Sequence, residues 1–577
     1  MTIDLQKRLI DVAMKRRVAD YVITNANVVD VYNGKIMQKD VAIVDSYIAA
    51  IGDHYEGKHT YDAKGNYLIP GLIDAHVHIE SSLVDPVSFG HLLLARGTTT
   101  AVCDPHEICN VAGIEALDFM VESSQKSQLS FFFMVPSCVP STSFEHSGAT
   151  IDAKSIASRI TQSHVLGLGE MMDMQGVIEA QPSILEKLHV AHSEGKVIDG
   201  HGPSLTKEHL QAFITSGIMT DHECTTPQEV TERIESGMYV LLREGSASSD
   251  LRALLPAVTS FNSRRCMFCT DDRQVKSIIE EGHIDNHLRI AVQEGIDPIE
   301  AIRMASLNAA EAYRLSDRGA IAPAKRADLV LVNNLTDFSV EDVFVGGVLY
   351  KKPTTHTPMS IPTHIEGKIN IGPIDEEDFA LHLSSNNVRV IGLEGSSLVT
   401  THLTTHVTRD DHNRWVYQKD EDIVKLAVIE RHHATGNKAL ALLQGYGLKD
   451  GAIALTIAHD SHNVIIAGTS DKEMFIALEA LKKIHGGIVM VHNNTVIETL
   501  SLPIAGLMTN EGSDHVLQKL EVMYEKAFSL LQVSHKVDPF MTLSFMALPV
   551  IPSLKVTDMG LFDVDSYSFV PIEVDEK

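Results

Sequence analysis

The sequence predicts an α/β protein: a (β/α)8 TIM-like barrel with a small composite β-sandwich domain and an additional α+β C-terminal domain. Three observations carry this. From Leu72 onward an apolar strand, a polar loop and a helix-like segment recur eight times, and the steps from His76 to Asp271 average about 28 residues, close to the roughly 30-residue βαβ unit. Ligand-type polar residues end seven of those eight strands, as expected where a barrel gathers its chemistry at the C-terminal strand ends. Short β-type runs precede and follow the repeat, so the chain leaves a β-layer and rejoins it.

The elements follow in order. Residues 1–17 have helical periodicity, with Leu5, Leu9, Ile10, Val12 and Ala13 on one side, and predict a leader helix lying on the body. Residues 18–69 hold apolar or alternating runs separated by turns at Asn33-Gly34 and Lys64-Gly65, the pattern of a small β-layer. Pro70-Gly71 opens the barrel, residues 70–317, with strands expected at LIDAHVH (72–78), TTTAVCD (98–104), LSFFFMV (129–135), HVLGLGE (164–170), KVIDGH (196–201), GIMTDH (217–222), MYVLLRE (238–244) and CMFCTD (266–271). Residues 318–350 return to β text and are assigned to the β-layer. The Pro- and Thr-rich passage 351–364 is a linker, and residues 365–577 form a mixed α+β domain.

Composition narrows the function classes. With 577 residues, 44% hydrophobic and 21% charged, the chain is long enough for several cores and reads as globular throughout. Its 48 Lys and Arg stand against 76 Asp and Glu, a net charge of −28, which repels nucleic acid and anionic membranes and suits a neutral or cationic small substrate. Six cysteines in such a chain are no disulfide framework and imply a reducing compartment. The charged N-terminus lacks an apolar signal-type core, and no run reaches the roughly 18 apolar residues of a membrane span. The expected location is cytoplasmic.

His76 and His78 lie two apart on a strand, so both side chains leave one face and can share a metal. Alone the pair reads more readily as two histidines of a half-buried strand. A closed barrel, however, also brings Glu170, His201, His222 and Asp271 from the ends of strands four, five, six and eight to the same mouth. Imidazole and carboxylate ligands suit one or two divalent ions such as Zn2+, Mn2+ or Fe2+. A second pattern, His78-Ile79-Glu80 with Cys266 and Cys269, matches the zinc signature of cytidine-type deaminases. It fails because Arg265 rather than proline precedes Cys266, and because positions i and i+3 of a strand face opposite ways.

PGLIDAHVHIESS (70–82), His201, His222, Asp271 and ADLVLV (327–332) together resemble the amidohydrolase superfamily. CDPHEICNVAG (103–113), GLGEMM (167–172), REGSA (243–247), CTDDR (269–273), GHIDNHLRIA (282–291), IAHDSHN (457–463) and DPFMTLSFMALPVIPSLKVTDMGLFD (538–563) are similar to its bacterial and archaeal adenine deaminases. The resemblance runs from about Val18 to the end.

It implies hydrolytic deamination of adenine to hypoxanthine and ammonia in purine salvage, with metal-activated water attacking C6. It implies a divalent, binuclear metal centre on His76, His78, Glu170, His201, His222 and Asp271, with Mn2+ or Fe2+ favoured and Zn2+ compatible. Glu170 stands where many relatives carry a bridging carboxylated lysine. Asp271 would bind metal and take the proton from water; Asp272 would hold the ring at N7 or cap a helix. Arg243 and Ser246 of REGSA are further expected substrate contacts, and either Glu223 or Glu244 would protonate N1. Asp104, His106 and Glu107 form an accessory metal or pocket cluster, or a hydrogen-bonded turn. His459, Asp460 and His462 either reach a metal or the substrate mouth or serve a structural hydrogen-bond role. The expected partners are a purine base and water, with no nucleic acid and no membrane, and the expected assembly is a homo-oligomer. The alternatives are another deaminase or cyclic-amide hydrolase on the same barrel, and a non-catalytic scaffold, which the retained ligand-type residues argue against.

Overall fold

The computed structural model describes residues 1–395 and 397–574. Eight parallel strands form the barrel: Leu72–His78, Thr98–Cys103, Ser130–Val135, Val165–Met171, Val197–Gly200, Thr220–Asp221, Tyr239–Arg243, and an eighth in two pieces, Cys266–Cys269 and Asp271–Asp272. They are near-continuous apolar runs because helices cover the outside while side chains fill the inside. Ile73, Ala75, Val102, Met134, Val197, Leu241 and Met267 share one interior cluster with Tyr313, whose hydroxyl meets the Asp199 carboxylate at 3.0 Å.

The eighth strand closes the ring by switching partners. Its first piece pairs with strand seven, Arg243 opposite Cys269; its second pairs with strand one, Asp272 opposite His78. Between them Thr270 donates its amide and hydroxyl to the two oxygens of buried Asp74, at 3.1 and 2.5 Å. The fifth and sixth strands meet through the Met219 amide and the Ile198 carbonyl at 3.0 Å. Cys269 lies in the barrel interior and Cys266 in the outer core, so the two thiols face apart as strand alternation requires.

The leading helix spans Ile3–Ala13 and buries Leu9 and Val12, shorter than the periodicity through Arg17 suggests, because Lys15 turns to φ 56° and its ammonium reaches the Asp53 carbonyl at 2.7 Å. Ile10 stays exposed. Strands between Ala19 and Pro70 share an eight-stranded sheet with three from the far side of the barrel; Leu329–Val332 runs antiparallel to Tyr67–Pro70. Residues 351–364 carry neither helix nor strand. Beyond them a second eight-stranded sheet, from Asn387 to Ser501, packs the helix Asp471–Lys483 on one face. The helix Ser513–Ser529 buries Val516, Leu520, Met523 and Ala527, and a small hairpin sheet begins at Leu554–Thr557. All six cysteines are buried free thiols, and no helix of the described residues is long and apolar enough to cross a membrane.

Candidate active site

The six strand-end residues converge. His76 and His78 point their Nε2 atoms at each other across 3.2 Å. His78 donates Nδ1–H to the Asp104 carbonyl at 2.8 Å, which fixes the tautomer and leaves the Nε2 lone pair facing the cluster. Glu170 reaches two ways. Its Oε1 lies 3.3 Å from His78 Nε2 and 3.7 Å from His76 Nε2, and its Oε2 lies 2.9 Å from His201 Nδ1 and 3.4 Å from His222 Nε2. Asp271 Oδ1 is 3.0 Å from His78 Nε2, while Oδ2 accepts from Arg243 Nη1 at 3.0 Å.

Local structure explains each placement. Glu170 is aimed by Asp104, whose Oδ2 accepts the Glu170 amide at 2.8 Å. That carboxylate approaches so closely that a Cβ on Gly169 would stand 2.2 Å from it. His201 and His222 are held by Asp221, which accepts from the Gly202 amide at 3.0 Å and from fully buried Arg233 at 2.8 Å. Asp271 sits at φ 56°, a left-handed conformation that aspartate tolerates better than most residues; the strand break there turns its carboxylate into the mouth.

The donor set fits a divalent metal. Four imidazoles and two carboxylates are crowded together in a largely buried mouth, and overlapping trios of them bring their ligand atoms within 4.8 Å of one another. His201 Nδ1 has no aligned hydrogen-bond partner although a Glu170 oxygen is 2.9 Å away, as expected of atoms that share an ion rather than a proton. Burial alone would raise both carboxyls, but His201 and His78 hold Glu170, and His78, His222 and Arg243 hold Asp271, well below the usual carboxylate range. Burial, reinforced by His222, pushes His76 down.

Around this core the expectations divide. Asp272 faces the same cavity and accepts a hydrogen bond from Ser81; burial and the adjacent Asp271 carboxylate raise its carboxyl. Ser81 escaped the sequence reading although it lies in the IESS stretch. Glu223 is in the site, paired to Arg243 and 3.3 Å from His222 Nε2. Although burial opposes it, Arg243 and His201 hold its carboxyl far below the usual range. Glu244 is not brought there. Strand alternation turns it away from Arg243's side, into a separate cleft with Arg252 and Glu281. Ser246 lines that same cleft and donates to the Ser277 hydroxyl at 2.8 Å. Arg243 lines the cavity but is tied to Glu223, Asp271 and Asp250.

Asp104, His106 and Glu107 are buried beside the six. His106 Nδ1 is 3.3 Å from Glu170 Oε1, and Glu107 is gripped by His459 and His462 of the C-terminal domain. That domain supplies much of the cavity wall, including Leu398, His459, Phe545 and Pro552. The cavity is about 480 Å3, the size of a small-molecule site. Nothing local in the sequence signals this wall, since its residues lie hundreds of positions from the barrel loops they cover.

The amidohydrolase family profile matches residues 67–350, and that of the adenine deaminase C-terminal domain matches residues 397–568. The chain is 50% identical over 571 residues to adenine deaminase 2 of Desulfotalea psychrophila, covering 98% of this chain and 99% of that one. It is 46% identical over 570 residues to an adenine deaminase of Nitratidesulfovibrio vulgaris, covering 98% of each. With an adenine deaminase of Ligilactobacillus salivarius it shares 45% over 574 residues, 98% of this chain and 99% of that one.

Proposed function

The chain belongs to the adenine deaminase family, with an amidohydrolase barrel, and on that premise we propose that it hydrolyses adenine to hypoxanthine and ammonia in purine salvage. The observation that carries the reading is the two-way reach of Glu170 between one histidine pair and another. It supports a binuclear centre held by His76, His78, Glu170, His201, His222 and Asp271, with Mn2+ or Fe2+ as the favoured ions. Divalent metal held by these residues would lower the pKa of water from about 15.7 to about 7 and so supply a nucleophile at neutral pH.

The protein's own groups do the rest. Asp271, kept ionised among His78, His222 and Arg243, takes a proton from the attacking water and returns protons to the departing amine. Arg243 holds the second Asp271 oxygen, which fixes the carboxylate's direction. Asp272, with its carboxyl raised by burial and steadied by Ser81, hydrogen-bonds the ring. Glu223 stays ionised beside Arg243, which favours a role in orienting His222 and Arg243 over that of a proton reservoir. The apolar C-terminal wall excludes bulk water.

The same reading assigns residues 1–17, the β-layer of 18–69 and 318–350, the barrel of 70–317, the linker of 351–364 and the C-terminal domain of 365–577 as distinct units. Six buried free thiols support a cytoplasmic setting. Ammonia release from a panel of adenine, adenosine, guanine, cytosine and dihydroorotate tests the assignment. Adenine should be turned over far faster than adenosine, and turnover of another ring with none of adenine would move the activity elsewhere on the same fold.

A further inference from the structure

Glu107, His459 and His462 form a buried trio of ligand-type side chains where the second barrel loop meets the C-terminal domain. Their spacing would admit a metal, but the hydrogen bonds argue otherwise. The Ala458 amide donates to His462 Nδ1 at 3.1 Å, so that nitrogen carries a lone pair. Burial keeps the ring neutral, its pKa pushed down to about 4, and its one proton therefore sits on Nε2 and is donated to Glu107 Oε2. A ring so protonated has no Nε2 lone pair for an ion. The trio is a relay of hydrogen bonds, and it has a direction.

The relay ends on His459. The other Glu107 oxygen accepts His459 Nδ1–H at 2.5 Å. The imidazole lies flat on Phe545, with centroids 4.3 Å apart and planes 15° from parallel. Its Nε2 makes no hydrogen bond among the described residues, and the ring lines the same cavity as Asp271 and Asp272. A carboxylate on Nδ1 with Nε2 left for the reacting molecule is the arrangement by which proteins aim a working histidine.

We infer that His459 is the C-terminal domain's catalytic contribution to this pocket: its Nε2–H donates a hydrogen bond to a ring nitrogen of the bound base, and Glu107 and His462 are its positioning residues. The inference rests on the reading of the site as a purine deaminase. The groups facing His459 are Glu107, His462, Asp460 and Asp272, and although burial opposes it, Glu107 above all raises the imidazole to about 9. A carboxylate held at Nδ1 favours the doubly protonated ring, whose Nε2–H is the donor. An aromatic base offers in-plane acceptor nitrogens to such a donor, and a ring pinned by a carboxylate and a phenyl face loses little freedom on meeting it.

The test compares His459→Asn, whose amide nitrogen replaces Nδ1 and keeps the Glu107 bond while removing Nε2, with His459→Ala and Glu107→Gln. Metal content, kcat and KM are measured on whichever base the wild type turns over fastest in the purine and pyrimidine panel. Failure of adenine as substrate then shows in the wild type and leaves the comparison intact. Both His459 variants should keep wild-type metal content and lose about 10²-fold in kcat/KM, and added imidazole should restore part of the His459→Ala loss. Glu107→Gln should lose about 10-fold, as expected of an orienting partner. Loss of bound metal from His459→Asn, kcat/KM within about threefold of wild type in that variant, or failure of imidazole to restore any His459→Ala activity would overturn the inference.

Discussion

Each Glu170 oxygen faces a different pair of histidines, the placement on which its proposed role as a metal ligand rests. Glu170→Gln replaces an anionic carboxylate with a neutral amide, so bound metal by elemental analysis should fall and kcat should drop about 10²-fold or more. Full metal content with full activity would remove Glu170 from the ligand set. Asp271→Asn separates ligation from proton transfer: part of the metal should remain while kcat falls about 10²-fold or more. Asp272→Asn should raise KM at least as much as it lowers kcat. A fourth residue, Lys555, acts through the wall. Lys555 donates to the carbonyls of Leu398 and Phe545 at 2.9 and 3.1 Å, and burial pushes its ammonium down to about 7. The unfolded chain keeps that proton up to about pH 10.4, so between the two values it binds more protons than the folded protein and stability rises with pH. The thermal midpoint of wild type minus that of Lys555→Met should therefore grow from pH 7 to pH 10, and a flat difference would contradict this. At this scale the six strand-end residues were legible because ligand types at strand ends are rare and periodic. The opposite facing of Arg243 and Glu244 is legible in principle from strand alternation, but the resemblance of REGSA as a whole stretch does not distinguish its two faces.

Among elements, the fourth strand shows how backbone and site are joined. Gly169 has no side chain because the Asp104 carboxylate, which holds the Glu170 amide, fills the space. Gly169→Ala should push Asp104 aside, tilt Glu170 and weaken metal binding about 10-fold, the scale seen when an orienting partner is lost. Equilibrium dialysis against a chelator series would measure it, and unchanged affinity would mean that Asp104 can move without consequence. The barrel strands were readable from the chain because each is a short apolar run with a polar end. The split of strand eight at Thr270 was not, because it depends on Asp74, which lies 196 positions earlier in the chain and captures the Thr270 amide and hydroxyl. The early stop of the first helix was equally hidden, since a contact between Lys15 and the distant Asp53 carbonyl leaves no periodic signature.

For the whole molecule, the site is finished by two parts of the chain that the sequence keeps far apart. The His146–Asp558 pair, at 2.5 Å, and the His433 bond to the Ser147 carbonyl, at 2.8 Å, fasten the C-terminal domain to the loop after barrel strand three, and His459 reaches Glu107 from the same side. The family motifs of that domain marked its presence but not its task, because a motif does not state what it will touch. The fold class, the metal-ligand candidates and the deaminase reading were thus available from local pattern and resemblance, while the wall of the cavity came only with the folded chain. The central proposal is that a divalent metal held at the barrel mouth drives deamination of adenine. The most direct test measures ammonia and hypoxanthine released from adenine by the purified protein as purified, after chelation, and after Mn2+, Fe2+ or Zn2+ is returned. Equimolar products, loss of activity on chelation and recovery with Mn2+ or Fe2+ are expected. Undiminished turnover by protein shown to be free of metal, or no turnover of adenine by fully loaded protein, would contradict the proposal.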